Sequence, residues 1–244
     1  MRIFVCVTLT AVQRTLLGQS LPGDEILYHP DPDPLPAAST LFETCEVALG
    51  NPPAEWLLRG GKTRWVQLES VGFGEYVSVG LQPSARFPKM TNLAGFFAEP
   101  VAESILAGVS SYFRGLFALQ ELQRRLEWTG EVLRPSLRVI KDASVVLIGR
   151  GHINSRVAEL LAPFGCKVQS FGSNPDTSEL DQNLRKADIV VCCASHTAQS
   201  QGLFGAERFS LLKPDALFLN FGRGSLIDED ALANALKAGQ LGQQ

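Results

Sequence analysis

From residue 143 onward the chain alternates apolar strands with amphipathic helices, and this order constrains its fold more than any other feature. Strands are read at 144–148, 167–171, 189–193 and 216–220, with helices at 153–164, 178–186, 206–211 and 228–238. Apolar strands that each lead into a helix pack as parallel βα units, with helices covering both sheet faces. The expectation over 97–244 is an α/β fold built on a doubly wound parallel sheet. A helix of about 99–128 leads into it, begun by Pro100, with Val101, Ile105, Val109, Tyr112, Leu116, Leu119 and Leu122 on one face. Before it, over 1–96, shorter apolar runs at 3–7, 25–28, 45–49, 65–68 and 77–79 read as strands. Turns such as Pro30-Asp31-Pro32-Asp33-Pro34 separate them, and helical stretches at 11–17 and 54–59 complete a smaller α/β domain.

Composition narrows the partners. The 244 residues carry a formal net charge of -3, without the surplus of Lys and Arg that a phosphate backbone requires, so no nucleic-acid partner is expected. No apolar run is long enough to span a membrane. The opening Met1 to Val7 reads as a buried strand rather than a signal peptide, so the protein is expected in the cytoplasm. Five cysteines, Cys6, Cys45, Cys166, Cys192 and Cys193, show no metal-ligand spacing and read as thiols in a reducing compartment. Cys192 and Cys193 are strand neighbours and point to opposite faces.

Strand 144–148 runs straight into Gly149-Arg150-Gly151-His152-Ile153-Asn154 and then a helix. A first glycine permits the tight turn, a second lets backbone approach a pyrophosphate, and the helix start presents free N–H groups to it. The sheet is therefore expected to be of Rossmann type and to bind NAD(P) through Gly149, Arg150, Gly151, His152 and Ile153. The third glycine of the fingerprint is Asn154 here. At the end of the next strand, where NAD sites usually offer a carboxylate, stands Gly172, followed by Ser173 and Asn174. A 2′-phosphate would meet no repulsion there, and Arg150 lies within reach, which leans the preference toward NADP.

From Val145 to Leu241 the chain resembles the D-isomer-specific 2-hydroxyacid dehydrogenases, the family of glyoxylate/hydroxypyruvate reductases and phosphoglycerate dehydrogenase. The resemblance rests on Leu147-Ile148-Gly149-Arg150-Gly151-His152-Ile153, on Ala187 to Cys193 with Thr197 after it, and above all on Leu212 to Leu232. Ala98 to Glu103 and Ser70-Val71-Gly72-Phe73-Gly74 resemble the family's interdomain helix start and substrate-carboxylate loop. The resemblance implies a flavodoxin-like substrate domain over 1–96 and an NAD(P)-binding domain over 97–244. It implies that Arg223 is the catalytic substrate anchor and that backbone N–H groups around Val71 and Gly72 hold the carboxylate. Ser195, Thr197, Phe221 and Gly222 would line the cofactor, with Ser195 standing where the family has proline.

The family's proton donor is a histidine assisted by a glutamate, both beyond the helix 228–238, so the chain reads as a fragment whose sheet lacks its last strands. Of the three histidines present, His196 is the better stand-in, while His152 falls at the phosphate turn and His29 reads as surface. Two functions stay open. One is an NAD(P)-dependent oxidoreductase, a homodimer, interconverting a small D-2-hydroxy acid and its 2-oxo acid. The other is a non-catalytic dinucleotide-binding sensor or interaction module on the same fold.

Overall fold

A computed structural model describes residues 1–29, 36–81, 87–128, 130–172 and 174–241; the turn at 30–34 and Ser173 lie outside the described residues. The chain divides into two compact units, Met1–Ala94 and Gly95–Gln244.

The first unit runs β1 (Arg2–Val5), α1 (Ala11–Ser20), β2 (Glu25–Tyr28), α2 (Pro36–Glu43), β3 (Val47–Leu49), α3 (Ala54–Leu58), β4 (Trp65–Gln67), α4 (Gly74–Ser78) and β5 (Lys89–Thr91). All pairings are parallel and the strand order is β2-β1-β3-β4-β5, the flavodoxin-like arrangement. Its core is aromatic: Phe4 meets Phe42 edge-on at 5.6 Å and Trp56 at 6.0 Å, all three fully buried. The apolar run at 77–79, expected as a strand, is instead the end of α4. Only Tyr76 of that helix is buried while Val77 and Val79 are exposed, so the β-branched run advertised a strand that packing does not use. The fifth strand is Lys89–Thr91, whose Lys-Met-Thr sequence carries no apolar signal.

The second unit runs α5 (Ala98–Phe113), α6 (Leu116–Arg124), α7 (Gly130–Leu133), β6 (Ser144–Ile148), α8 (His152–Leu161), β7 (Lys167–Phe171), α9 (Thr177–Leu184), β8 (Ile189–Cys192), α10 (Ala206–Leu211), β9 (Leu217–Asn220) and α11 (Glu229–Lys237). Its sheet is parallel, in the order β7-β6-β8-β9. Alternate residues of β6 serve two cores. Val145 and Leu147 pack with Ile105, Val109 and Val157 of α5 and α8, whereas Val146 and Ile148 pack with Leu180, Phe209 and Ala235 of α9, α10 and α11. Both faces are thus covered, which is the doubly wound Rossmann-type arrangement.

The single helix expected over 99–128 is two helices. Gly115 adopts φ 61°, a left-handed conformation open to glycine, and turns the chain between α5 and α6. At the amino-terminal ends of the strands a charged clasp joins four segments. Lys213 Nζ donates to Asp188 at 2.8 Å, Ser144 N–H donates to the same carboxylate at 2.8 Å, and Arg138 reaches both Asp188 and Asp215.

Candidate functional site

The sheet order reverses at β6, since β7 pairs on one side of it and β8 on the other. In open α/β sheets a crevice forms at that point, beyond the carboxyl ends of the strands. Gly149 turns the chain there at φ 105°, and its N–H donates to Phe171 O at 2.7 Å. A Cβ at Gly149 would lie 2.9 Å from Ala194 N, so glycine is required by both torsion and space. Gly151 caps α8 with no side chain, and a Cβ there would meet nothing within 4 Å. The first turn of α8, including His152 and Ile153, holds no acidic residue. Uncapped helix N–H groups with clear space before them suit an anion. The exposed His152 ring lies beside Gly95, and Ile153 packs into the core beneath.

Arg150 lays its guanidinium over the end of β7, where Nε and Nη2 donate to Ser170 O at 3.3 and 3.1 Å. Just past that strand, a Cβ at Gly172 would again meet nothing within 4 Å.

The loop after β8 is held by a fully buried serine. Ser200 Oγ accepts from Thr197 N–H at 2.8 Å and donates to Ser195 O at 2.9 Å, while Ser200 N–H donates to Thr197 Oγ1 at 3.1 Å. Ser195 and His196 are exposed, and His196 Nδ1 lies 2.8 Å from Ser225 Oγ. After β9, Phe221 N–H donates to Cys192 O at 2.8 Å and Gly222 N–H to Asn220 Oδ1 at 3.0 Å. A Cβ at Gly222 would stand 2.8 Å from Ala194 O. Further N–H donations, Gly202 to Ser225 O and Phe204 to Leu226 O, join the two loops. Arg223 projects from this joined pair, exposed; its Nη1 donates to Gly222 O at 3.2 Å, and it has no acidic partner among the described residues.

The family model for the D-isomer specific 2-hydroxyacid dehydrogenase, NAD binding domain, matches residues 106–244, more than half of the chain. The chain belongs to the D-isomer specific 2-hydroxyacid dehydrogenases. It is 35% identical over 107 residues to the D-specific alpha-keto acid dehydrogenase of Enterococcus faecalis, covering 42% of this chain and 33% of that one. It is 28% identical over 219 residues to glyoxylate/hydroxypyruvate reductase B of Shigella boydii, covering 83% of this chain and 67% of that one. The chain therefore spans about a third of the first relative's length and two thirds of the second's. In fold it is similar to a D-isomer specific 2-hydroxyacid dehydrogenase family protein from Aeromonas salmonicida, with TM-score 0.80, 24% identity, and coverage of 99% of this chain and 79% of that one.

The residues expected at the cofactor stand at the carboxyl ends of the strands of this unit, a rim open enough for a dinucleotide. Gly149, Arg150, Gly151 and Gly172 edge β6 and β7; Ser195, Thr197, Phe221, Gly222 and Arg223 edge β8 and β9. The open face at Gly151, the uncapped α8 and the absence of a first-turn carboxylate would suit an anion. Beneath the rim, burial pushes the thiols of Cys192 and Cys193 up to about 11 and about 12, so they stay protonated.

Val71 and Gly72 belong to the other unit, in the loop after β4. Their carbonyls are tied back, Val71 O accepting from Asn92 Nδ2 at 2.8 Å and Gly72 O from Ser70 Oγ at 2.7 Å. Their N–H groups carry no hydrogen bond among the described residues. A cavity of about 900 Å³ opens beside this loop, lined by Leu68, Phe73, Tyr76, Val77, Phe87 and Met90. The supporting roles that sequence reasoning left unassigned fall to polar residues: Ser200, Ser225, Asn220, Asn92 and Ser70. Thr197-x-x-Ser200 was a readable hydroxyl turn; the others act over distances no local pattern reveals.

Proposed function

We infer that the whole protein is an NAD(P)-dependent oxidoreductase interconverting a small D-2-hydroxy acid and its 2-oxo acid. The observation carrying this is Arg223, an exposed guanidinium with no acidic partner among the described residues, on the rim where a dinucleotide would lie. A planar, permanently charged fork grips a carboxylate and polarises the adjacent carbonyl. On this reading residues 1–96 form the substrate domain, whose Val71 and Gly72 N–H groups bind the substrate carboxylate, and 97–244 the cofactor domain. The bound nicotinamide supplies the hydride. Gly149, Arg150, Gly151, His152 and Ile153 hold the pyrophosphate, and Ser195, Thr197, Phe221 and Gly222 line the remainder. Gly172 leaves the ribose edge open, with Ser173 beside it in sequence, and Arg150 at the end of β7 favours NADP over NAD. The five free thiols support a cytoplasmic protein, and the exposed apolar residues of α6 support a homodimer.

In the full-length protein, Arg223→Ala is expected to lower kcat/KM for 2-oxo acids by about a hundredfold or more, since it strips a charged contact from a desolvated carboxylate. NADPH is expected to bind more tightly than NADH. Unchanged turnover in the variant would sink the assignment. Dinucleotide binding with no turnover of any 2-oxo acid would favour the non-catalytic sensor.

A further inference from the structure

The structure assigns to Asn154 the aiming of a backbone N–H at the dinucleotide's phosphates, a positioning role that the fingerprint's third glycine cannot play. This rests on the dinucleotide reading above. Asn154 lies in the first turn of α8 and is only 2% exposed. Its Nδ2 donates to Ile148 O at 2.9 Å and to Gly149 O at 2.8 Å. Two converging carbonyls fix which end of the amide faces them, because Oδ1 could pair with neither. Oδ1 itself is left buried without a partner among the described residues.

The consequence follows from peptide geometry. Ile148 O already accepts from Cys193 N–H at 2.8 Å, but Gly149 O has no donor other than Asn154 among the described residues. In a trans peptide the C=O and the following N–H point in opposite directions. Pulling Gly149 O inward therefore turns the N–H of Arg150 outward, toward the open face in front of Gly151. That N–H carries no hydrogen bond among the described residues. Glycine at 154 would leave Gly149 O unpaired and this peptide free to rotate. The residue that departs from the fingerprint thus organises the turn before any ligand arrives, and the ligand is spared the cost of ordering it.

The test compares Asn154→Gly, which restores the fingerprint, and Asn154→Ala, which keeps helix propensity, with the unsubstituted chain. NADPH affinity is measured by calorimetric titration, and thermal unfolding is followed in parallel. Both variants are expected to bind NADPH about tenfold more weakly at temperatures where they remain folded, the scale of one lost preorganising hydrogen bond. Equal or tighter binding by either folded variant would overturn the proposal. So would loss of Tm alone with affinity unchanged, or failure of both variants to fold, since each makes Asn154 a packing residue only. If the unsubstituted chain bound neither NADPH nor NADH, the dinucleotide reading itself would fall, and this proposal with it.

Discussion

Ser200 shows how much a single hydroxyl can organise. It is fully buried, joins Thr197 and Ser195 into one turn, and so holds the loop that faces Arg223's loop across the rim. Ser200→Ala would leave the Ser195 carbonyl and the Thr197 amide without this partner. The expected loss of stability is about 1 kcal/mol, the net worth of hydrogen bonds to part-buried groups. Chemical denaturation of the two proteins measures it; a difference near zero would show that the turn holds without the hydroxyl. At the same scale the turn at Gly149 was readable from sequence, because torsion is a local property. The partners of Asn154 and Ser225 were not, since they lie across a turn or on another loop.

Among elements, what was legible follows the physics of burial. Strands β6 to β9 are apolar because helices cover both faces, and such runs announce themselves. In the first unit β5 goes unannounced, since Lys89 and Thr91 of this edge strand are exposed and carry no apolar pattern. The break at Gly115 hid because apolar spacing continues across it, from Val109 and Tyr112 to Leu116 and Leu119. Elements are also joined electrostatically. Burial alone would raise the Asp188 carboxyl, but hydrogen bonds from Lys213 and Ser144 N–H, with the charge of Arg138, outweigh it and hold the pKa below its ordinary value. A depressed folded pKa contributes stability that is complete above the unfolded value of about 4 and is lost as pH falls through the folded value. Thermal scans are expected to show Tm falling below about pH 4 more steeply in the unsubstituted protein than in Asp188→Asn. Parallel curves would remove Asp188 from the clasp's acid response.

For the molecule as a whole, one stretch of chain is rich in exposed apolar side chains. Leu126 and Trp128 are 94% and 91% exposed, and Phe117 and Val132 are also well exposed in the same stretch. Patches of this kind mark interfaces, and large aromatic residues anchor them. On the proposed homodimer, Phe117→Glu combined with Trp128→Glu is expected to convert a two-chain particle to a single chain in sedimentation, leaving the fold intact by circular dichroism. A single chain before substitution would remove the homodimer. No helix among the described residues is long and apolar enough to cross a membrane.

The tightest approaches at Gly149 and Gly222 are to the main chain of Cys193 and Ala194; the one side-chain atom near either is Asn220 Oδ1, 3.3 Å from a Cβ at Gly222. A genetic consequence follows. Damage done by trimming or enlarging a side chain can be repaired by an opposite change in its neighbour, but a peptide group offers nothing to trim. Selection for revertants of Gly149→Ala or Gly222→Ala should therefore return glycine at the same codon, with compensating changes elsewhere rare.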